Sequence, residues 1–282
     1  MTRLIEIRGH IASMDELLDV IGAMRSLASM RVQEAQRALP GIRRYADFVA
    51  AALGAALLLR PEAEHPTRAQ QGGKALVVFA GEHGFAGGFN DRLLDAAAAA
   101  LAPSDPLFVL GSRGAAIALQ RGRQPAWHGP MATRLTSVPE TLRQLEAPLY
   151  RRIVTGELAR IDMLYARYRP GETAELRQEA LLPLDLRALA GRPTAQPPLH
   201  NLEPERLLEG LTAEYVFALL TAAAVETMAS ENAARFAAME AAHGNVETKL
   251  QRLQQEANQA RQAEITEELM DLITGARTLS GG

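Results

Sequence analysis

The chain of 282 residues contains no cysteine, which excludes disulfide bonds, thiol catalysis and thiolate metal sites. Aromatic residues make up only 5% of it, and lysine occurs only at Lys74 and Lys249, so arginine carries almost all the positive charge. The formal net charge of −3 gives no overall electrostatic reason to bind nucleic acid. No uninterrupted apolar run approaches the ~20 residues that a membrane-spanning helix needs. These absences favour a protein that works, if at a membrane, from outside the bilayer.

Proline is absent from the whole stretch between Leu211 and Leu279, and glycine occurs there only at Gly244 and Gly275. At about 1.5 Å per residue, one helix of this length is longer than a compact domain is wide, so we expect an elongated protein. Apolar residues recur in steps of three and four, as in a coiled-coil seam. The seam consists of Phe236, Met239, Val246, Leu250, Leu253 and Ala257, with His243 between Met239 and Val246.

The seam changes phase after Ala260. The next seam positions would be acidic, at Glu264, Glu267 and Asp271. The apolar row instead moves to Ile265, Leu269, Leu272 and Ala276. Such a shift predicts a change of packing partner near the end of the helix. Two interpretations stay open for the polar residues here: a solvated face, or a surface that hydrogen-bonds a protein encircling the helix, with Arg261 suited to forked pairing with a carboxylate.

A second seam begins near the N-terminus. It is formed by Leu4, Ile7, Ile11, Met14, Leu18 and Ile21 and resumes, after Arg25, at Ala28, Val32, Ala35 and Leu39. This pattern predicts one helix from about Thr2 to Leu39, either a coiled-coil strand or an ordinary core helix. We expect Pro40-Gly41 to break or kink it, because proline lacks the backbone donor and crowds the preceding turn. The pattern restarts from Ile42 to Leu59.

The middle of the chain has an α/β pattern. Strands are predicted at Lys74–Ala80, Pro106–Leu110, Arg160–Arg169 and Glu175–Leu184. The first is followed by a glycine-rich turn and a helix-like run, which is half of a Rossmann-type unit, and the second repeats this order. A further helix is predicted over Glu140–Thr155, with an interruption at Pro148.

Proline-rich polar segments divide the chain. We predict an N-terminal coiled-coil helix over residues 1–60, a linker at 61–73, an α/β domain at 74–191, a linker at 192–204 and a C-terminal helix at 205–282. The fold class is therefore mixed α+β. Its terminal helices are expected to form a long antiparallel coiled coil, with a Rossmann-like α/β domain inserted between them.

The turn from Gly81 to Asn90 is the one place where the pattern allows phosphate binding, since it follows a strand and opens a helix. Its glycine spacing fits neither standard nucleotide fingerprint, so a purely structural turn is the favoured interpretation. Glu82 and His83 are adjacent in this turn; a catalytic acid–histidine pair is weighed against two solvent-facing residues, and the latter is favoured. The six histidines lack HExxH spacing and have no cysteines to join them, so a zinc site is not expected.

Longer motifs resemble a known family. The segments SENAARFAAMEAAHGN (Ser230–Asn245) and ANQARQAEITEELMDLITGA (Ala257–Ala276) resemble the C-terminal signature of the gamma subunit of F-type ATP synthases. The N-terminal segment IRGHIASMDELLDVIGAMRSLASMRVQEAQ resembles the first helix of that family. FAGEHGFAGGFN and IDMLYARYRP resemble its middle domain, so the resemblance covers most of the chain in the family's order.

The resemblance implies a central rotor shaft without an active site or cofactor. The expected partners are the alpha and beta subunits of the catalytic ring, the epsilon subunit and the membrane ring of c subunits. Catalysis belongs to the beta subunits, and the chain couples ion flow through the membrane to ATP synthesis or hydrolysis. The implied location is the cytoplasmic side of the bacterial cytoplasmic membrane, as a peripheral component. The alternative is a non-rotary coiled-coil scaffold or adaptor.

The family motif also implies contact residues. Those expected to touch the catalytic ring are Met24, Arg25, Arg261, Gln262, Thr266 and Glu268, and Arg235 is expected at the base of the shaft. The sequence departs from the family pattern at Gly22, where lysine is usual. It also departs at Gly81-Glu82-His83, where Ser-Asp-Arg is usual.

Overall fold

The computed structural model describes the backbone of residues 2–59, 72–185, 189 and 199–280, and the side chains of these residues apart from 2 and 271–280. Most of each predicted linker, at 61–71 and 192–198, lies outside the described residues, as do the side chains of Leu272 and Ala276. Two compact units are present, one of Met1–Leu27 with Phe236–Gly282 and one of Ala28–Arg235.

Helices at both ends of the chain enclose a region of alternating strands and helices. The elements are α1 (Thr2–Leu57), β1 (Gly73–Phe79), α2 (Phe89–Ala100), β2 (Leu107–Leu110), α3 (Ser112–Gln120), β3 (Trp127–Gly129), α4 (Val138–Val154), β4 (Leu158–Arg167), β5 (Glu175–Leu182) and α5 (Pro204–Ser280). A short 3₁₀ turn, Leu135–Ser137, precedes α4.

Helix α1 runs without a break through Pro40-Gly41, so the predicted break is wrong. Pro40 is exposed, and Gln36, whose carbonyl loses its partner because proline has no N–H, is half-buried. The three–four spacing also continues past the proline: Leu39 and Ala46 are buried, and Ile42 packs against the same core. Packing of this apolar face therefore stabilises the helix through Pro40-Gly41.

Helix α5 extends for 77 residues, as the long proline-free stretch predicts. One 18-residue window in it has a mean hydropathy of 1.4, sufficient by composition for a membrane span, and a third of that window is buried inside the chain. The core helix of a soluble protein passes the same test. In the second unit, Leu220, Val225 and Met228 of α5 are buried in an apolar cluster with the sheet.

The sheet has the strand order β3-β2-β1-β4-β5, with parallel pairing except between β4 and β5. Four strands agree with the sequence pattern to within about two residues at each end, the normal uncertainty of boundaries. Strand β3 was not predicted, because three residues are too few for a periodic pattern; Trp127 of β3 pairs in register with Phe108 of β2. The chain adds β2 and β3 on one side of β1, then returns to add β4 on the other.

Apolar side chains cover both faces of the sheet, which explains the continuous apolar run of β1. Val77 and Phe79 point into one cluster with residues of α1, α4 and α5. Leu76 and Val78 point into a second cluster with residues of α2 and α3. Because successive side chains of a strand point to opposite faces, β1 alone packs against helices on both sides of the sheet.

Helix α4 also continues through a proline, so the predicted interruption at Pro148 is wrong. The carbonyl that would lose its partner belongs to Gln144, which is exposed to solvent. Leu142, Leu145 and Leu149 of α4 are buried against the sheet. As in α1, packing of the apolar face preserves the helix.

A buried carboxylate joins three strand residues. Asp162 of β4 is only 1% exposed, and its side chain accepts hydrogen bonds from Arg160 at 2.9 Å and from Gln178 at 2.9 Å. The Lys74 ammonium lies 3.3 Å from the same carboxylate. Although burial alone raises the pKa of Asp162, the hydrogen bonds from Arg160, Gln178 and Lys74 outweigh it and lower this pKa below its usual value.

Removal of this charge should weaken the fold in a pH-dependent way. A depressed folded-state pKa means that the carboxylate stabilises the fold above its unfolded pKa of about 3.9, and that this stabilisation is lost as the pH falls through the folded pKa. We expect Asp162→Asn to lower the free energy of unfolding by about 1–3 kcal/mol at pH 7 and by less in acid. Urea unfolding followed by the fluorescence of Trp127, the one tryptophan, measures this.

Asp95→Asn is the matched control, because the side chain of Asp95 is 72% exposed in its pair with Arg121. We expect it to change the free energy of unfolding by less than about 1 kcal/mol at any pH. An equal loss in both variants at pH 7 would contradict the assigned role of Asp162.

Candidate functional site

Six polar side chains of α5 are buried in the second unit, and all of them except Asn232, which bonds within α5, also bind other elements. The polar row consists of the other five, Glu226, Thr227, Ser230, Glu231 and Arg235, each at most 9% exposed. Two carboxylates and a guanidinium at such depth require partners, since an unpaired buried charge is strongly unfavourable. Their partners lie beyond the carboxyl ends of β1 and β4 and on α1.

The first three members of the polar row bind the end of β4. The Tyr168 amide donates to Glu226 Oε2 at 3.0 Å, and Glu226 also pairs with Arg43 of α1. The Ser230 hydroxyl donates to the Ala166 carbonyl at 2.9 Å. The Thr227 hydroxyl accepts from the Ala166 amide at 3.4 Å. Side chains of α5 thus satisfy backbone groups where β4 reaches its last residues.

The other two members bind the glycine-rich turn after β1. Glu231 Oε1 accepts from the His83 amide at 3.4 Å and pairs with the Arg235 guanidinium at 2.5 Å. Arg235 in turn donates to the Gly84 carbonyl at 3.3 Å. Arg235, which the resemblance assigns to the base of the shaft, therefore joins α5 to the turn within this chain. The carboxylate of Glu231 lies at an amide that a phosphate would otherwise meet.

Glu82 of the turn has a structural role. Its carboxylate accepts hydrogen bonds from the Ser112 amide at 2.9 Å and the Ser112 hydroxyl at 2.7 Å, at the first turn of α3. It also accepts from the Met131 amide at 2.7 Å. A carboxylate in this position caps the helix N-terminus. Since the Glu82 carboxylate is directed at α3 and Met131 while His83 is exposed, the geometry gives the less favoured interpretation, an acid–histidine pair, no support.

Two glycines stand at close approaches around the turn: Gly81 lies against Glu231 of α5, and Gly111 lies against the backbone of Ala80. A Cβ atom at Gly81 would lie 3.0 Å from the Glu231 carboxyl carbon. Gly111 has φ +114°, and a Cβ there would lie 2.6 Å from the Ala80 carbonyl oxygen. Phe85, in the same turn, adopts φ 60° without being glycine and is 71% exposed. Close approach at Gly81 and the backbone conformation at Gly111 give structural reasons for these two glycines.

The end of α5 presents its predicted contact residues to solvent. Arg261, Gln262, Thr266 and Glu268 are all exposed. The Thr266 hydroxyl donates to the Gln262 carbonyl of its own helix at 2.8 Å. This exposed tip, defined as residues 261–270, also carries apolar side chains: Ile265, Leu269 and Met270 are 53%, 56% and 58% exposed.

Burial along α5 in the first unit follows the original seam and not the shifted apolar row. Met239 is buried, and the half-buried positions continue through Leu253 and Ala260 to Glu264. Phe236 departs from the predicted seam, since it is 38% exposed. The phase change therefore coincides with the point at which apolar residues cease to be covered by this chain.

The other predicted ring contacts lie on α1. The Arg25 guanidinium donates to Glu240 Oε2 of α5 at 2.8 Å, within the first unit. Met24 is half-buried. The sequence pattern did not reveal Glu240, the capping role of Glu82 or the members of the polar row other than Arg235, because their partners are backbone groups or residues remote in the sequence. Among the residues that the structure describes, no group of three or more histidine, aspartate or glutamate side chains could hold a metal ion.

Comparisons with known proteins give a consistent result. Residues 3–279 match the family described as ATP synthase. The chain is 30% identical over 287 residues to the ATP synthase gamma chain of Methylibium petroleiphilum, covering 96% of this chain and 97% of the relative. It is 28% identical to that of Frankia casuarinae, covering 99% of each.

A solved structure shares the fold. A chain in the Euglena gracilis mitochondrial ATP synthase assembly of OSCP, F1 and c-ring, in rotational state 3, matches with a TM-score of 0.67 at 16% identity. The match covers 99% of this chain and 95% of that one.

The cap formed by Glu82 can be tested by its removal. Glu82→Ala leaves the first-turn donors of α3 and the Met131 amide without their carboxylate, so we expect a loss of about 1–2 kcal/mol in the free energy of unfolding. Urea unfolding monitored by Trp127 measures it. Glu140→Ala, in an exposed pair with Arg143, is the control and should change stability by less than about 1 kcal/mol. A loss no greater than the control's would contradict the cap.

Proposed function

The chain belongs to the ATP synthase gamma-chain family, and we propose that it is the central shaft of a rotary F-type ATP synthase. It is a non-catalytic subunit in this proposal. Torque passes through it between ion flow in the membrane sector and the nucleotide sites of the beta subunits. The observation that carries the proposal is the exposed tip, which combines the family signature with apolar side chains that this chain leaves uncovered.

The partners in the proposal are the alpha and beta subunits around the shaft, the epsilon subunit and the c ring. Neither nucleic acid nor a cofactor has a role. The complex is bound to a membrane, and the chain is peripheral, on the cytoplasmic side of the bacterial cytoplasmic membrane. A net charge of −3 and an arginine-based polar surface suit protein partners better than direct lipid binding.

We propose that the terminal helices form an antiparallel coiled coil. Two clusters within the second unit support it: Ala35 of α1 shares a cluster with Met228 of α5, whereas Leu53 shares one with Leu208. As the residue number increases along α1, the residue number of the α5 residues in the shared cluster decreases, as in an antiparallel pair of helices. In the first unit, the pair between Arg25 and Glu240 is compatible with the same arrangement.

We also propose that the middle domain is Rossmann-like. Its support is the strand order, the parallel pairing of β1 with both neighbours and the helices on both faces. In such sheets a ligand normally binds at the carboxyl ends of the strands where the chain reverses its direction of strand addition. Here side chains of α5 lie there instead.

The ring contacts are proposed to be Met24, Arg25, Arg261, Gln262, Thr266 and Glu268, with Arg235 at the base of the shaft. A rotating shaft must not adhere strongly at one angle, because a strong contact would hold it in one position of the ring. Small and polar side chains in the tip satisfy that requirement better than a continuous apolar face would. Torque is therefore distributed over many weak contacts.

Copurification separates this function from the alternative of a non-rotary scaffold or adaptor. The affinity-tagged chain, expressed with the other subunits of its own complex, should retain alpha and beta subunits, with one copy of this chain for every three beta subunits, as the family resemblance implies. Quantitative mass spectrometry of the purified complex gives the ratio. Recovery of the chain without beta subunits, or in equal numbers with them, would contradict the proposal.

The tip can be tested by truncation. Deletion of residues 261–282 removes the four proposed ring contacts of α5 together, so we expect severe loss of ATP-driven ion pumping and of torque in the assembled complex. Gln262→Ala removes a single polar side chain worth about 0.5–1.5 kcal/mol at most, so coupling should fall only modestly. Rotation and hydrolysis assays on the reconstituted ring measure both. Unchanged torque in the truncated chain would contradict distributed contact at the tip.

A further inference from the structure

The polar row attaches α5 to the middle domain at a high cost in desolvation free energy. Burial of Glu226, Glu231 and Arg235 removes three charged groups from water. Apolar residues of similar volume commonly give equal or greater stability than buried ion pairs. Stability alone therefore does not explain why α5 contacts the sheet through carboxylates and a guanidinium as well as through Leu220 and Met228.

The bonds of the polar row differ from apolar contacts in direction. Apolar packing is non-directional and opposes separation of two surfaces more than sliding of one over the other. A hydrogen bond weakens steeply when its angle or length changes. Polar groups fixed around one side of a helix therefore resist rotation of the helix about its own axis.

The partners are arranged at two separate points of the sheet. Glu226 and Ser230 hold backbone groups at the end of β4, at 3.0 and 2.9 Å. Glu231 and Arg235 hold the turn that follows β1. Because β1 and β4 are adjacent parallel strands, both attachments lie at the carboxyl ends of the strands. They act on two neighbouring inner strands of the sheet.

From this geometry we infer that the polar row prevents α5 from rolling within the middle domain, so that helix and domain turn as one body. The inference rests on the proposed function, since only a shaft under torque requires such a restraint. Glu231 is the central positioning residue, because it joins the turn to Arg235 through a charge-assisted pair. Gly81 permits this approach, since a side chain there would meet Glu231.

Single-molecule rotation of the assembled complex tests the restraint. The chain lacks cysteine, so a bead can be attached at one engineered site, either Ser104→Cys in the loop before β2 or Ala213→Cys on α5, both exposed. With the ring of alpha and beta subunits immobilised, the angular variance of the bead is recorded while the enzyme waits for ATP. The bead at position 104 reports rotation of the middle domain, and the bead at position 213 reports rotation of α5. A difference in angular variance between the two sites therefore measures how far the domain turns relative to the helix.

The test variant is Glu231→Gln, which keeps the shape of the side chain but removes its charge. Charge-assisted hydrogen bonds are roughly twice as strong as neutral ones, so we expect about a twofold rise in angular variance for the bead at position 104. The bead at position 213 should show no change. Ser230→Ala, which deletes one bond to Ala166, should give a smaller rise at position 104 only.

The control is Glu256→Gln, which removes the charge from another pair on α5, with Arg252 four residues away, but at an exposed position. It should leave the variance at both sites unchanged. Wild-type variance at position 104 in both test variants would overturn the inference, as would equal rises at both sites, which place the compliance elsewhere. A wild-type chain that does not rotate in the ring would contradict the proposed function itself, and the inference with it.

Discussion

A helix as long as α5, with 77 residues, cannot be covered by one domain of ordinary size, and the rest of the structure follows from this constraint. Its earlier part is buried by the sheet of the second unit. At its exposed tip, residues 261–270, the apolar side chains of Ile265 and Leu269 are more than half exposed. One continuous helix therefore carries two kinds of surface, one satisfied within the chain and one suited to other subunits.

The glycine-rich turn illustrates how a familiar pattern can serve a different purpose. A strand, a glycine turn and a helix normally offer backbone amides to a phosphate. Here the His83 amide meets the carboxylate of Glu231, and the Glu82 carboxylate caps α3 and binds Met131. Side chains of the same protein thus supply the negative charge. The turn holds elements together where related topologies hold a ligand.

Sequence periodicity predicted most of the fold and little of the buried site. Apolar spacing identified both terminal helices and four of the strands, because side-chain burial repeats with the helix or strand. The interruptions expected at Pro40 and Pro148 do not occur, because packing of the apolar face of each helix offsets the hydrogen bond that proline removes. The contacts of the polar row were not predicted, because Glu231 and Arg235 bond to backbone groups that are 148 and 151 residues away in the sequence.

If the proposed shaft function is correct, other subunits cover Ile265 and Leu269 at the tip of α5, whereas the polar row is already buried within the chain. Amide hydrogen exchange of the full chain, alone and assembled with its alpha and beta subunits, tests it most directly. Residues 261–270 should exchange more slowly in the assembled complex, while residues 226–235 should exchange at the same slow rate in both. Equal exchange of the tip in both states, or new protection confined to residues 226–235, would contradict the account.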